Sequence, residues 1–135
     1  MVRPLTTRPA EAPRRPWRDG VESRVHDGAS SLFLLEQWSR PGVGAPTHAH
    51  PGVEEVIFVV VGAAEFWVDG ENERLDEGGS IVVPAGSRHG FRNVGTGELH
   101  TLAVFASARP TVEYDAERGT VLDISERHRR EEESP

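Results

Sequence analysis

The feature that most limits the fold is a series of short apolar runs between residues 19 and 125, interrupted every few residues by turn signals. Eight runs have the length and composition of β-strands: VESRVH, SLFLLEQW, EVIFVVV, AEFWVD, SIVVP, HGFRNV, LHTLAVFA and TVEY. Asp69-Gly70 predicts a hairpin between two extended segments, because both residues tolerate positive φ. Many short strands in one small domain predict an all-β sandwich or barrel.

Charge and proline content divide the 135 residues into three expected parts. Residues 1–18 hold five arginines, one glutamate and four prolines, which predicts a flexible N-terminal arm. Residues 19–125, the predicted β-domain, hold seven arginines against seventeen acidic residues. Residues 126–135 are almost entirely charged or polar and predict a disordered tail.

The composition excludes several classes of function. A chain without cysteine cannot form disulfides, thiolate zinc sites or iron-sulfur clusters, and a chain without lysine cannot form a Schiff base. The acidic body lacks the continuous basic surface that nucleic-acid binding requires. No apolar run approaches the roughly 20 residues of a membrane span. We therefore expect a cytoplasmic protein that contacts neither nucleic acid nor membrane.

The stretch THAHPGVEEVIF places His48 and His50 on one face of an extended segment, and two glutamates follow within one turn. His89 begins a later strand-like run. Two or three imidazoles and one carboxylate form a ligand set that suits a divalent transition metal. Two questions stay open at this point. The pattern also suits two surface histidines, and strand parity does not separate Glu54 from Glu55, because both faces of the run are apolar.

Two longer patterns resemble the two conserved motifs of the cupin superfamily. The first pattern has its fixed positions at Gly42, His48, His50, Glu55 and Gly62. The second pattern has its fixed positions at Gly78, Pro84, Gly86, His89 and Asn93. Fifteen residues separate the patterns, which is similar to the short spacing of small single-domain cupins. The resemblance covers about residues 30–107 and says nothing about the arm or the tail.

The cupin resemblance implies a double-stranded antiparallel β-helix, the jelly-roll barrel, with one divalent metal inside it. The metal ligands that it implies are His48, His50, Glu55 and His89, and the position of Gly62 favours Glu55 over Glu54. Iron, manganese, nickel, cobalt and zinc all accept such a set. Without a metal, the same residues would form a buried polar network. The resemblance also implies a homodimer, with residues 14–26 placed to cross to the partner.

The resemblance further implies a metal-dependent enzyme that acts on a small organic molecule, with dioxygenase-type oxidoreductase chemistry as the first expectation. A metal held by four protein ligands keeps coordination positions free for substrate. The alternatives are a metal-dependent lyase, isomerase or cyclase, and a non-catalytic small-molecule binder. Glu55 is also a candidate catalytic base. No helix-turn-helix pattern supports the further alternative of a DNA-binding regulator.

Candidates for contact with substrate follow from strand parity and position. The apolar candidates are Ile57, Val59, Phe66 and Phe91, and the charged candidates are Arg40 and Arg92. Further residues that could orient a ligand or a substrate are Gln37, Trp38, His100, Phe105 and Tyr114. The apolar residues would also suit an inert core, and the two arginines would also suit surface ion pairs.

Overall fold

The computed structural model describes residues 4–126, in which every element longer than three residues is a β-strand. The strands are β1 (Arg15–Arg18), β2 (Val21–His26), β3 (Phe33–Ser39), β4 (Gly44–Ala49), β5 (Glu55–Val61), β6 (Ala63–Val68), β7 (Glu71–Asp76), β8 (Ser80–Val83), β9 (His89–Asn93), β10 (Leu99–Phe105), β11 (Thr111–Tyr114) and β12 (Leu122–Asp123). None of the helical turns in residues 4–126 is long and apolar enough to cross a membrane. The prediction of an all-β chain is confirmed.

The strands form two six-stranded sheets, in which neighbouring strands are antiparallel. The first sheet has the order β1-β2-β3-β10-β5-β8, and the second has the order β12-β11-β4-β9-β6-β7. Their inner faces share one apolar core, which includes Val59, Phe66, Leu99 and Phe105. Among the strands of residues 4–126 none belongs to both sheets, so the sheets pack face to face with separate edges.

Strand β5 has apolar residues on both faces, yet only one face is buried. Val56 and Phe58 are 37% and 39% exposed on the outer face, whereas Ile57 and Val59 point into the core. Because successive side chains of a strand alternate between its two faces, Glu55 points inward together with Ile57 and Val59, and it is 4% exposed. Glu54 is exposed. The pairing of β5 with β10 and β8 therefore separates two glutamates that strand composition alone left equivalent.

The predicted hairpin is confirmed between β6 and β7. Val68 pairs with Glu71 across a two-residue turn, and Asp69 and Gly70 have φ angles of +48° and +85°. The second strand of this hairpin, β7, is not among the eight strand-like runs, because its sequence ENERLD has no alternation of apolar residues. This strand lies at the edge of the second sheet and is mostly exposed, so polar and charged side chains are tolerated on it.

The boundary expected at residue 18 falls inside the first sheet, so the prediction of a flexible arm over residues 1–18 is corrected at its C-terminal end. Arg15–Arg18 forms the edge strand β1, which pairs with β2 of the same chain. Trp17 is buried in the core, and the burial of an indole stabilises a strand that its arginines and proline do not predict. Of the tail predicted for residues 126–135, only residue 126 is among the described residues.

Strand β4 begins within the segment RPGVGAP, although proline and glycine are typical of turns. A Cβ atom built on Gly44 would lie closer than 3.0 Å to the carbonyl oxygen of Phe91 in the neighbouring strand β9. Only glycine lets the two backbones approach this closely. Gly44 therefore acts in strand pairing rather than in a turn, and the two strands that it brings together carry His48 and His89.

Candidate metal centre

The four predicted ligands converge because several strands begin or end at one point of the sandwich. His48 lies in β4 and pairs with His89, the first residue of β9, in the second sheet. His50 follows β4, and Glu55 is the first residue of β5 in the first sheet. Gly52, at φ +69°, lies in the turn between them. This turn carries the chain from one sheet to the other, so the carboxylate faces the imidazoles.

The three histidine side chains form a compact buried cluster. Their ligand nitrogens lie within 4.8 Å of one another. The ring centroids of His48 and His89 are 4.2 Å apart, and those of His48 and His50 are 4.8 Å apart. Oε1 of Glu55 lies 3.0 Å from Nε2 of His89 and 3.3 Å from Nε2 of His50. The fold thus brings together all four residues predicted as ligands.

Backbone carbonyl groups orient the three imidazole rings. The Nδ1 atoms of His48, His50 and His89 lie 2.6, 2.9 and 2.9 Å from the carbonyl oxygens of Pro46, Thr111 and Ser87, respectively. Because a carbonyl oxygen only accepts hydrogen bonds, each Nδ1 carries a proton, and in the neutral form of each imidazole Nε2 presents a lone pair. Metal-ligating histidines adopt this arrangement, in which the outer nitrogen is fixed by a hydrogen bond.

The atoms at the centre of the cluster lack hydrogen-bond partners within the described chain. Nε2 of His50, Nε2 of His89 and Oε1 of Glu55 are buried and form no hydrogen bond. With the protons on Nδ1, the 3.0 and 3.3 Å contacts bring acceptor atoms against one another. Such a buried arrangement is costly, and a divalent cation among the acceptors would remove the cost. The residues therefore fit a transition metal with three nitrogen ligands and one oxygen ligand.

Burial and neighbouring charges set the protonation states of the cluster. Burial, together with repulsion from His89 and His50, lowers the pKa of His48 to about 3, so its imidazole is neutral at pH 7. Burial raises the pKa of the Glu55 carboxyl, but hydrogen-bonding and charge interactions with protonated His50 and His89 outweigh this effect and lower the pKa to about 2. A bound cation would take the place of these protons. A neutral imidazole and an ionised carboxylate are the forms that bind metal.

The cluster borders a partly open cavity of about 30 Å³. Ile57 and Phe91, two of the apolar substrate candidates, line it. Val59 and Phe66 lie instead in the core, where neighbouring side chains cover them almost completely, so their prediction as substrate contacts is corrected. The other predicted residues that line the cavity are Gln37, Phe105 and Tyr114.

The two arginines predicted to bind substrate lie on the outside of the sandwich. Arg40 follows β3, its side chain is 67% exposed, and it lies 3.4 Å from Asp19. Arg92 comes directly after Phe91 in β9, so the alternation of side chains directs it outward, where it is 54% exposed and 4.0 Å from Glu65. Both predictions are corrected: these arginines form surface ion pairs.

Trp38 and His100 also lie away from the cavity, on the outer face of the first sheet. Their rings stack with centroids 4.8 Å apart. Nε2 of His100 lies 2.6 Å from Oε2 of Glu36, while Arg24 and His26 contact Oε1 at 2.8 and 2.9 Å. We call Glu36, Arg24, His26 and His100 the Glu36 network. It is separate from the candidate metal centre and was not predicted.

Sequence reasoning missed several residues that line the cavity. Trp17 and Arg18 reach it from β1, which lies in the segment assigned to the flexible arm. The signal available in the sequence was the tryptophan, because an indole is seldom left entirely in solvent. Thr101 of β10 also lines the cavity, and nothing in the run LHTLAVFA distinguishes it from a core position.

Two curated relatives from Streptomyces share the segment that contains the candidate metal centre. The chain is 41% identical over 71 residues to polyketide synthase CurC of Streptomyces cyaneus, which covers 53% of this chain and 46% of the relative. It is 32% identical over 68 residues to the tetracenomycin polyketide synthase protein TcmJ of Streptomyces glaucescens, covering 50% and 46% of the two chains. The match therefore spans just under half the length of these relatives.

A solved structure shares the fold. KdgF from Halomonas sp. superposes with a TM-score of 0.70 at 20% identity, covering 77% of this chain and 94% of that one. Residues 39–105, which contain all four candidate ligands, match the family model described as the cupin domain. The chain belongs to the cupin superfamily.

Proposed function

We propose that the protein is a metal-dependent enzyme that acts on a small organic molecule inside a jelly-roll fold. His48, His50, His89 and Glu55 would hold one divalent transition metal per chain. The observation that carries this proposal is the set of buried acceptor atoms on His50, His89 and Glu55, which a cation would satisfy. Iron, manganese, nickel, cobalt and zinc are the candidate metals.

When bound, the metal would supply Lewis acidity and open coordination positions for oxygen ligands. The chain supplies the rest of the site. Carbonyl groups hold the three imidazoles in one tautomer, and the Glu55 carboxylate contributes the negative charge. Ile57, Phe91 and Phe105 exclude water from the cavity wall, which strengthens the electrostatic interactions inside it. A role for Glu55 as a catalytic base would require it to leave the metal.

The first candidate reaction is a dioxygenase-type oxidation of the organic substrate. The second is a metal-dependent cyclisation or isomerisation, and it is favoured by the relatives named as polyketide synthase proteins. Both reactions need a substrate with an oxygen atom that can reach the metal. A lyase reaction and non-catalytic binding of a small molecule are the remaining alternatives.

The test uses the full-length protein loaded separately with each metal and supplied with enolisable, phenolic and 1,2-diketone compounds. Oxygen uptake that matches product formation supports a dioxygenase, whereas conversion without oxygen uptake supports a cyclase, isomerase or lyase. Binding of a compound without any conversion supports the non-catalytic binder. The Glu55→Ala variant is expected to lose activity and the Glu54→Ala variant to keep it. The enzyme proposal fails if no metal-loaded form converts any compound.

Assembly and location also belong to the proposal. We expect a homodimer, for which an apolar outer face of the first sheet is available. The cytoplasmic location, and the expectation that neither nucleic acid nor membrane is a partner, stay predictions from composition. The division into an arm, a β-domain and a tail stays a prediction as well, with the domain now starting before residue 18.

A further inference from the structure

Part of the cavity wall is polar but belongs to none of the four candidate ligands. Gln37 of β3 lies opposite Thr101 of β10 on the first sheet, and both residues line the cavity. Gln37 is 7% exposed, and among residues 4–126 no hydrogen bond to its side-chain amide is found. The amide atoms of Gln37 are not among the fully buried atoms without a partner, so they border the accessible space of the cavity. The amide is therefore available to a hydrogen-bonding group of a ligand in the cavity.

A cationic group lines the same cavity. Arg18 reaches from β1 to the second sheet, where Nη1 donates to the carbonyl oxygen of Gly44 at 3.0 Å and Nη2 donates to the hydroxyl of Tyr114 at 2.9 Å. The ring of Tyr114 lies 5.6 Å from the ring of His48, measured between centroids. Both of these acceptors are neutral, and a guanidinium group binds an anionic oxygen more strongly than a neutral one.

The size of the cavity limits how a substrate can enter. A volume of about 30 Å³ accommodates roughly two water molecules. Sites for organic ligands usually offer roughly 300 Å³ or more. A substrate must therefore displace side chains from the wall. If Arg18 exchanges a neutral acceptor for a charged substrate oxygen, the new charge-assisted hydrogen bond offsets the loss of the old one.

We propose that Arg18 and Gln37 bind a negatively charged oxygen of the substrate, an enolate or carboxylate oxygen, while a second substrate oxygen reaches the metal centre. Tyr114 is a positioning residue, because it holds the guanidinium group against the cavity wall. The inference rests on the proposed function and narrows its substrate class to small molecules with two oxygen functions, at least one of them anionic. Phe91 and Phe105 provide the apolar surface for the body of such a molecule.

The test is a calorimetric titration of the full-length protein, both cobalt-loaded and metal-free. Benzoate represents the carboxylate, acetylacetone represents the enolate, and benzamide is the neutral control. In the Arg18→Gln variant the affinity for one or both anions is expected to fall roughly tenfold or more, because a hydrogen bond to a charged group is lost. The affinity for benzamide is expected to stay unchanged. Gln37→Leu should weaken anion binding roughly threefold to tenfold.

The matched control is Arg74→Gln, which removes an exposed arginine from an ion pair with Asp76 and should change no affinity.

Cobalt content, measured in the same samples, separates this inference from the proposed function. The inference is overturned if Arg18→Gln binds both anions as tightly as the wild type, or if the wild type binds neither anion. If the wild type takes up no cobalt, the proposed function fails and the metal-free titrations decide the inference. If circular dichroism shows that Arg18→Gln is unfolded, the affinities of Gln37→Leu decide it.

Discussion

Oε1 of Glu55 lies 3.0 Å from Nε2 of His89, although the two residues belong to different sheets of the sandwich. Both atoms are buried, and neither has a hydrogen-bond partner in the described chain. A cation between them would connect the first sheet to the second at this point. We therefore expect metal binding and the stability of the fold to be coupled, since a ligand that binds only the folded state stabilises it.

Metal content should depend on Glu55 and not on its neighbour Glu54. Elemental analysis of protein purified without chelator is expected to find about one transition metal per chain in the wild type. Glu55→Ala and His50→Ala each remove one ligand and should lose the metal. Glu54→Ala is the control, because this glutamate is exposed and should not affect the metal. Equal trace amounts of metal in all four proteins would contradict the site.

Thermal stability should rise with added metal only where the ligands are intact. At free metal one hundred times above its Kd, the folded state gains about 2.7 kcal/mol. Calorimetry is expected to show a higher Tm for the wild type and for Glu54→Ala, with no rise for His50→Ala. A rise of the same size in His50→Ala would show that the cation stabilises the protein at another place.

Acid stability should depend on the Glu36 network. Burial raises the pKa of Glu36, but hydrogen bonds from His26, Arg24 and His100 outweigh it and lower the pKa below its ordinary value of 4.5. A lowered pKa in the folded state adds stability that is present above pH 4.5 and is lost as the pH falls through the folded-state pKa. Glu36→Gln is therefore expected to destabilise the protein at pH 7, and the difference from the wild type should shrink in acid.

Chemical unfolding at a series of pH values measures this effect. Glu36→Gln leaves Arg24 buried without its carboxylate, which should cost roughly 2–3 kcal/mol at pH 7. Glu65→Gln is the matched control, since it removes an exposed carboxylate 4.0 Å from Arg92 and should cost under about 1 kcal/mol. A difference between wild type and Glu36→Gln that stays constant from pH 7 to pH 3 would argue against the network as its source.

The predicted homodimer should form through the outer face of the first sheet. Four exposed apolar side chains cluster there on paired strands: Val56, Phe58, Val82 and Val104. Strand β1 pairs with β2 of the same chain, and the crossing of residues 14–26 to a partner stays a prediction beside the contact that we propose through this apolar face. Sedimentation is expected to find twice the 14.8 kDa chain mass for the wild type and one chain mass for Phe58→Glu. Val121→Glu, at another exposed apolar position, should stay dimeric, and a monomeric wild type would refute the dimer.

The sequence predicts most strands because these depend on local patterns, and the cupin resemblance adds the four residues of the candidate metal centre. The runs VESRVH, EVIFVVV and TVEY match β2, β5 and β11 residue for residue. The local spacing of His48 and His50 indicates two imidazoles on one face, whereas the choice of Glu55 over Glu54 and the addition of His89 come from the resemblance to the two cupin motifs. The strand-like runs are readable because each is specified within about ten residues.

The rest of the site depends on how distant strands pack. The side chains of Val59 and Phe66 point inward, as those of a cavity wall would, but neighbouring core residues cover them. Arg18 lies in a segment whose composition predicts disorder, and the buried Trp17 beside it shows that tertiary packing overrides that composition. No sequence pattern predicts that the two sheets place Arg18 and Gln37 in the same cavity.

Metal affinity should also depend on Gly44, which contacts no ligand. Gly44→Ala would place a Cβ closer than 3.0 Å to the carbonyl oxygen of Phe91 and push β4 away from β9. Because His48 and His89 lie on these strands, we expect the affinity for cobalt to fall roughly tenfold and the free energy of unfolding to fall by roughly 2 kcal/mol or more. Gly97→Ala is the control, since a Cβ there has no heavy atom within 4 Å. Cobalt titration and chemical unfolding of both variants check this, and equal cobalt affinity in the two would show that the pairing of β4 with β9 does not position the ligands.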